Sequence, residues 1–196
     1  MPTLKVRALI PKGDPWHSSC RSAGEVAEIF EVVNEIWRQA GVSFEAEVRE
    51  TKIDTLLLDE VVKAASRRDP DVERLQELTG PAPKTITALY VHSIGGSNGK
   101  VFRPKRTVLV VDGTTMPASR TTAHEIGHLF GLEHWLDHPP PEAPDRPPNQ
   151  LMARTQPGTE LIPSDIAQVK RWLKGSVGGK RKARVLSARG AQLHKA

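Results

Sequence analysis

The stretch His124-Glu125-Ile126-Gly127-His128-Leu129-Phe130-Gly131-Leu132-Glu133-His134 places three histidines at fixed intervals around two glycines. On a helix, His124 and His128 stand one turn apart, so both imidazoles project from one face and can share one tetrahedral metal. Glu125 is rotated from His124 by about 100° around the axis. Its carboxylate therefore lies beside the metal without being a ligand, where it can take a proton from an activated water. Gly131 can adopt the left-handed conformation that stops the helix and turns the chain back, bringing His134 round as a third nitrogen. Three protein ligands leave one position open, as in a catalytic rather than a structural zinc site. Three His, one Glu and one Gly at these offsets arise in roughly one shuffled chain of this composition in 20,000.

Upstream of this segment, Thr107 to Val111 is an unbroken β-branched and Leu run, the pattern of a strand buried on both faces. Lys84 to His92 reads as a strand, Gly95 to Gly99 as a turn, and Val101-Phe102 as a short edge strand. Thr3 to Ile10 alternates and reads as a first strand stopped by Pro11, and Val42 to Val48 as a second. Between them Val26, Ile29, Phe30, Val33, Ile36, Trp37 and Ala40 fall at spacings of three and four, with a Ser22/Glu25 capping box before them and Gly41 after them. Leu56 to Ala65 and Asp69 to Leu78 have helical patterns, and Ser119 to Phe130 carries the histidines. Strands alternating with helices imply an α/β fold: a mixed, mostly parallel twisted sheet with an antiparallel edge strand, a backing helix and an active-site helix. Beyond His134, the prolines from Pro139 to Pro148 exclude regular structure, and Ser164 to Leu173 forms a last short helix with Ser164 as its N-cap.

Composition narrows the class. The chain of 196 residues has one Cys, so a disulfide scaffold is excluded, and its length suffices for a core without staples. No apolar run approaches the roughly 18 residues of a membrane span. The N-terminus carries no secretory signal pattern, which predicts a cytoplasmic protein or export by a signal-independent route. The formal charge is +5, yet the seven basic residues from Lys174 onward have no acidic companion, and the preceding 173 residues hold 21 basic against 23 acidic. The basic character belongs to a Gly-, Ser- and Lys-rich tail, 174–196, expected to be disordered.

The eleven-residue motif resembles the zinc signature of the metzincin clan of metalloendopeptidases. Leu151-Met152-Ala153, 18 residues after His134, is similar to that clan's Met-turn, with Met152 as the matching residue. Asn34 to Phe44, with Trp37 and the Gly41-Val42 exit, is similar to the clan's first helix running into its second strand, and Ser164-Asp165-Ile166 is nearest to the matrixin branch. Trp135, directly after His134, fits none of the familiar branches, and the only Tyr, Tyr90, precedes the motif. The resemblance implies a metallopeptidase domain over 1–173, divided into an N-terminal subdomain (1–134) and a C-terminal one (135–173), with peptide laid along the edge strand near Gly99 to Arg103. It implies Zn²⁺ held by His124, His128 and His134, with Glu125 as general base.

Other roles compete for several of these residues. Glu125 could close a capping box from Thr122; Met152 could be core filling; His138 could be an alternative ligand or a loop residue. Cys20 could reach the zinc as an inhibitory thiolate or be a packed or exposed free thiol, and Asp165 could simply complement a helix dipole. The expectation is a monomeric zinc-dependent metalloendopeptidase acting on peptide or protein substrates. Two alternatives stand beside it: a zinc-binding module that holds peptides with little turnover, and an intracellular protease recruited to nucleic acid by its basic tail.

Overall fold

In the computed structural model, which describes residues 1–66, 85–94, 96–103, 106–134, 149–153 and 158–178, the alternating segments form a five-stranded sheet. β1 (Thr3–Lys12), β2 (Ser43–Lys52), β3 (Ile86–Val91), β4 (Gly99–Phe102) and β5 (Thr107–Val111) are arranged in the order β2-β1-β3-β5-β4. The β1/β2, β1/β3 and β3/β5 pairings are parallel, and β4 runs antiparallel to β5 at one edge. The helices among the described residues are α1 (Ala23–Arg38), α2 (Thr55–Ser66), α3 (Ala118–Leu129) and α4 (Pro163–Gly178). The mixed α/β class, the mostly parallel sheet and the antiparallel edge are as the sequence implied.

Alternation along the strands divides the core in two. Val6, Ala8, Ile10, Ala88, Tyr90, Val108 and Val110 point to the face covered by α1 and α3. Leu9, Leu89, Val91, Leu109 and Val111 point to the face covered by α2 through Leu58, Val61 and Val62. The central strands β3 and β5 are buried along their whole length, which is why their sequences are apolar runs rather than alternations.

α1 forms as its pattern predicts. Ser22 accepts from the Glu25 N–H and the Glu25 side chain accepts from the Ser22 N–H, closing both halves of the capping box. Gly41, at φ +70°, ends it: its N–H bonds the Arg38 carbonyl and the Val42 N–H bonds the Trp37 carbonyl, the Schellman arrangement. Asn34 then ties the helix to β2, donating to the Phe44 carbonyl at 3.1 Å and accepting from its N–H at 2.6 Å. Trp37, Phe44 and Trp172 gather around Phe130, at centroid distances of 4.9, 6.4 and 4.8 Å. That cluster joins α1, β2 and α4 to the end of α3.

Three local expectations are corrected. Pro11 does not stop β1, which continues to Lys12. Pairing with β3 ends at Leu9, and the Pro11 carbonyl accepts from the Ser19 N–H. The proline nitrogen faces that same side, where no strand asks for a donor. Ser164 is not an N-cap: α4 begins at Pro163, the first-turn position that suits a residue without an N–H. The helix also runs through Gly178 into the basic stretch counted from Lys174. The helix expected at 69–78, the proline segment with Trp135 and His138, and residues 179–196 lie outside the described residues. No helix among the described residues is long and apolar enough to cross a membrane.

Candidate metal centre

α3 is buried from Arg120 to Leu129 between the sheet and the segment around Met152. It ends as α1 does. Gly131, at φ +84°, donates to the His128 carbonyl and Leu132 to the Gly127 carbonyl, so the chain reverses over the last turn. The reversal places the Leu132 carbonyl 2.8 Å from His128 Nδ1 and brings His134 beside the helix.

The three histidines converge. His134 Nε2 lies 3.0 Å from His124 Nε2 and 3.2 Å from His128 Nε2, and the three ligand atoms all lie within 4.8 Å of one another. Nδ1 of His124 donates to the Leu151 carbonyl at 2.9 Å, and Nδ1 of His128 to the Leu132 carbonyl. A ring that donates from Nδ1 keeps its lone pair on Nε2, so both helix histidines aim lone pairs at a common point. Burial pushes His124 down to about 3 and His128 down to about 4, leaving both rings neutral and able to bind metal at neutral pH. Nitrogens bound tetrahedrally to zinc at about 2.0 to 2.1 Å stand about 3.3 Å apart, close to the 3.0 and 3.2 Å edges that His134 makes, while the His124–His128 edge is within 4.8 Å. Residues and geometry thus fit a zinc ion held by three imidazoles.

Glu125 is buried beside them. Burial pushes its carboxyl up to about 8, against the pull of Lys100 and Arg120. A Cβ built on Gly99 would come within 2.7 Å of Glu125 Cγ and 2.9 Å of its Oε1, so the first residue of β4 lies directly on the carboxylate arm. The capping role for Glu125 is ruled out: α3 starts at Ala118, Thr122 is inside it, and the Thr122 hydroxyl bonds the Tyr90 hydroxyl at 3.2 Å in the core.

Below the helix, Leu151, Met152 and Ala153 form a buried turn fixed by the Leu151 N–H to the Glu160 carbonyl at 2.8 Å. Met152 packs under Gly127. Arg120, which the sequence reading passed over, donates from Nη2 to the Leu151 carbonyl at 2.9 Å and to the Ala153 carbonyl. Its spacing was the available signal, since Arg120, His124 and His128 recur every four residues on one helix stripe. Asp165 sits in the first turn of α4; burial raises its pKa and a hydrogen bond from Gln150, the residue before Leu151, opposes the rise. Cys20 is exposed, with its N–H on the Asp112 carboxylate at 2.8 Å. Burial and Asp112 push its thiol pKa up, the opposite of what a reactive thiolate needs.

The five-stranded, mostly parallel sheet with helices on both faces is an α/β fold similar to that of two solved structures. Archaemetzincin from Methanopyrus kandleri superposes with a TM-score of 0.55 at 16% identity, over 87% of this chain and 96% of that one. Metalloproteinase-II from Bacteroides fragilis superposes with a TM-score of 0.54 at 14% identity, over 87% of this chain and 53% of that one. No family model matches the sequence, and no curated protein matches it.

Proposed function

We propose that this chain is a zinc-dependent metallopeptidase of the metzincin type. His124, His128 and His134 hold the metal, Glu125 serves as general base, and Met152 forms the turn beneath. The convergence of three imidazole Nε2 atoms beside a buried glutamate carries the proposal, and the fold neighbours named archaemetzincin and metalloproteinase agree with it. The matrixin-like branch rests on Ser164-Asp165-Ile166 alone.

Zinc bound here would supply a Lewis acid that polarises the scissile carbonyl and lowers the pKa of water to about 7. Glu125 takes the proton of the attacking water and returns one to the leaving nitrogen. Beside the charge of a bound zinc the carboxylate is the favoured form before the transfer, and the dry surroundings favour the proton-carrying form after it. β4 ends the sheet on this side, and its first residue touches Glu125. An extended peptide added to that edge would run past the base, with main-chain hydrogen bonds setting its register.

The test is a peptide-library digest of the metal-loaded chain beside its Glu125→Ala variant, with metal content measured on both. Expected are one zinc per chain in each and hydrolysis only in the unsubstituted protein, abolished by chelator. Equal hydrolysis by the variant would overturn the mechanism, and zinc binding without any cleavage would favour a peptide-holding module.

A further inference from the structure

Arg120 stands one turn before His124, as His124 stands before His128, and it is 5% exposed. Taking a guanidinium out of water is costly unless its donors find partners. Here Nη2 meets the carbonyls of Leu151 and Ala153, the residues on either side of Met152, while the buried Nε finds no partner among the described residues. The Leu151 oxygen accepts a second bond, from His124 Nδ1 at 2.9 Å. A carbonyl oxygen has two lone pairs, and this one spends them on Arg120 and His124. The position of the Leu151 oxygen decides where the His124 ring points and which nitrogen carries its proton. Arg120 holds that oxygen from the same helix that carries the histidine, while its second bond, to Ala153, stops the turn from rotating about Met152.

We infer that Arg120 is a positioning residue for the metal centre. By clamping the carbonyls of Leu151 and Ala153 it fixes the hydrogen bond that presents His124 Nε2 to the metal. The inference rests on the metal-centre reading above and adds a residue to it. Partners that orient a ligating histidine typically cost about 10- to 100-fold in metal affinity when removed. Lysine at this position keeps a cationic nitrogen with several donors but on a flexible stem of different reach, so it restores part of the effect.

The experiment compares the full-length chain with Arg120→Met and Arg120→Lys, and with Thr122→Val as a control that removes a buried hydroxyl contact on the same helix away from the turn. Zinc affinity is measured by competition with a chromophoric chelator, the visible spectrum is recorded on the cobalt-loaded proteins, and metal-free unfolding is followed for each. Expected are zinc binding weakened about 10- to 100-fold in Arg120→Met, an altered cobalt spectrum, an intermediate affinity in Arg120→Lys, and an unchanged affinity and spectrum in Thr122→Val. Wild-type zinc affinity in Arg120→Met, or an equal loss in Thr122→Val, overturns the inference. If Arg120→Met does not fold, Arg120→Lys decides alone: weakened zinc binding supports the inference and wild-type binding overturns it. If neither variant folds with zinc in excess, Arg120 serves the whole domain and the specific role falls. Failure of the unsubstituted chain to bind zinc refutes the metal centre itself, an outcome distinct from wild-type binding with indifferent variants.

Discussion

Met152 occupies the space that a side chain on Gly127 would need. A Cβ at Gly127 would lie 2.7 Å from the Met152 sulfur, so the backbone of α3 rests directly on the methionine. The helix carrying His124, Glu125 and His128 takes its height above the 151–153 turn from this contact.

Gly127→Ala should destabilise the fold by about 1 kcal/mol. Overpacking of a filled core costs about 1 to 3 kcal/mol, and the better helix propensity of alanine returns up to about 1 kcal/mol. In a Met152→Ala background the clash is gone and only the propensity gain survives, so the same substitution should be neutral or stabilising there. Urea unfolding of the four proteins in this cycle checks it; an equal cost in both backgrounds would show that the contact is not the cause.

Gly99→Ala should damage hydrolysis without damaging metal binding. The three nearest atoms to the added carbon all belong to Glu125, and displacing a reacting group by about 1 Å can cost 10²-fold in rate. A fluorogenic peptide assay should show kcat/KM lowered by about 10²-fold while zinc content stays at the wild-type level. Unchanged kinetics would mean that Glu125 has room to move or is not the base.

How much of this could be read from local pattern depends on how far apart the partners stand in the chain. The Ser22/Glu25 box and the turn at Gly131 lie within a few residues of the groups that satisfy them, and the apolar runs of β3 and β5 signal burial by their own composition although their parallel partners are 20 to 80 residues away; all appear where the sequence puts them. The histidine cluster is legible for the same reason, because helix geometry and one glycine turn bring 124, 128 and 134 together. Arg120 was passed over because its acceptors are 31 and 33 residues away, and a lone arginine on a helix ordinarily reads as a solvated face. Pro11 departs from the local pattern because its effect depends on where β3 stops, and Ser164 because the proline before it already starts the helix.

Metal removal should lower thermal stability. A ligand that binds only the folded state adds about 4 kcal/mol when present at a thousand times its Kd. For a chain of this size each kcal/mol moves Tm by about 2 to 4 °C. Chelation should therefore lower Tm by roughly 10 °C, with recovery on adding zinc and none on adding magnesium, which prefers oxygen ligands. A scan that does not respond to chelator would contradict a folded-state metal site.

Cys20 should alkylate slowly at neutral pH. Burial and the Asp112 carboxylate raise its pKa, so the thiolate fraction grows only as pH rises beyond the ordinary thiol range of about 8.5. Asp112→Asn removes the negative charge and should shift the pH midpoint of iodoacetamide labelling downward. Superimposable pH–rate curves for the two proteins would show that Asp112 does not govern the thiol.

The two borders of the sheet are built differently. β2 is ten residues long, enough to template an added strand. Its Phe44 backbone is already bonded to Asn34, and Glu45, Glu47, Arg49, Glu50 and Lys52 are exposed along it. A strand arriving there must displace the asparagine amide and meet alternating charge, which makes this border a poor seed for aggregation. Growth of the sheet is thereby steered to the opposite border, four residues long, where only a short extended segment gains by joining.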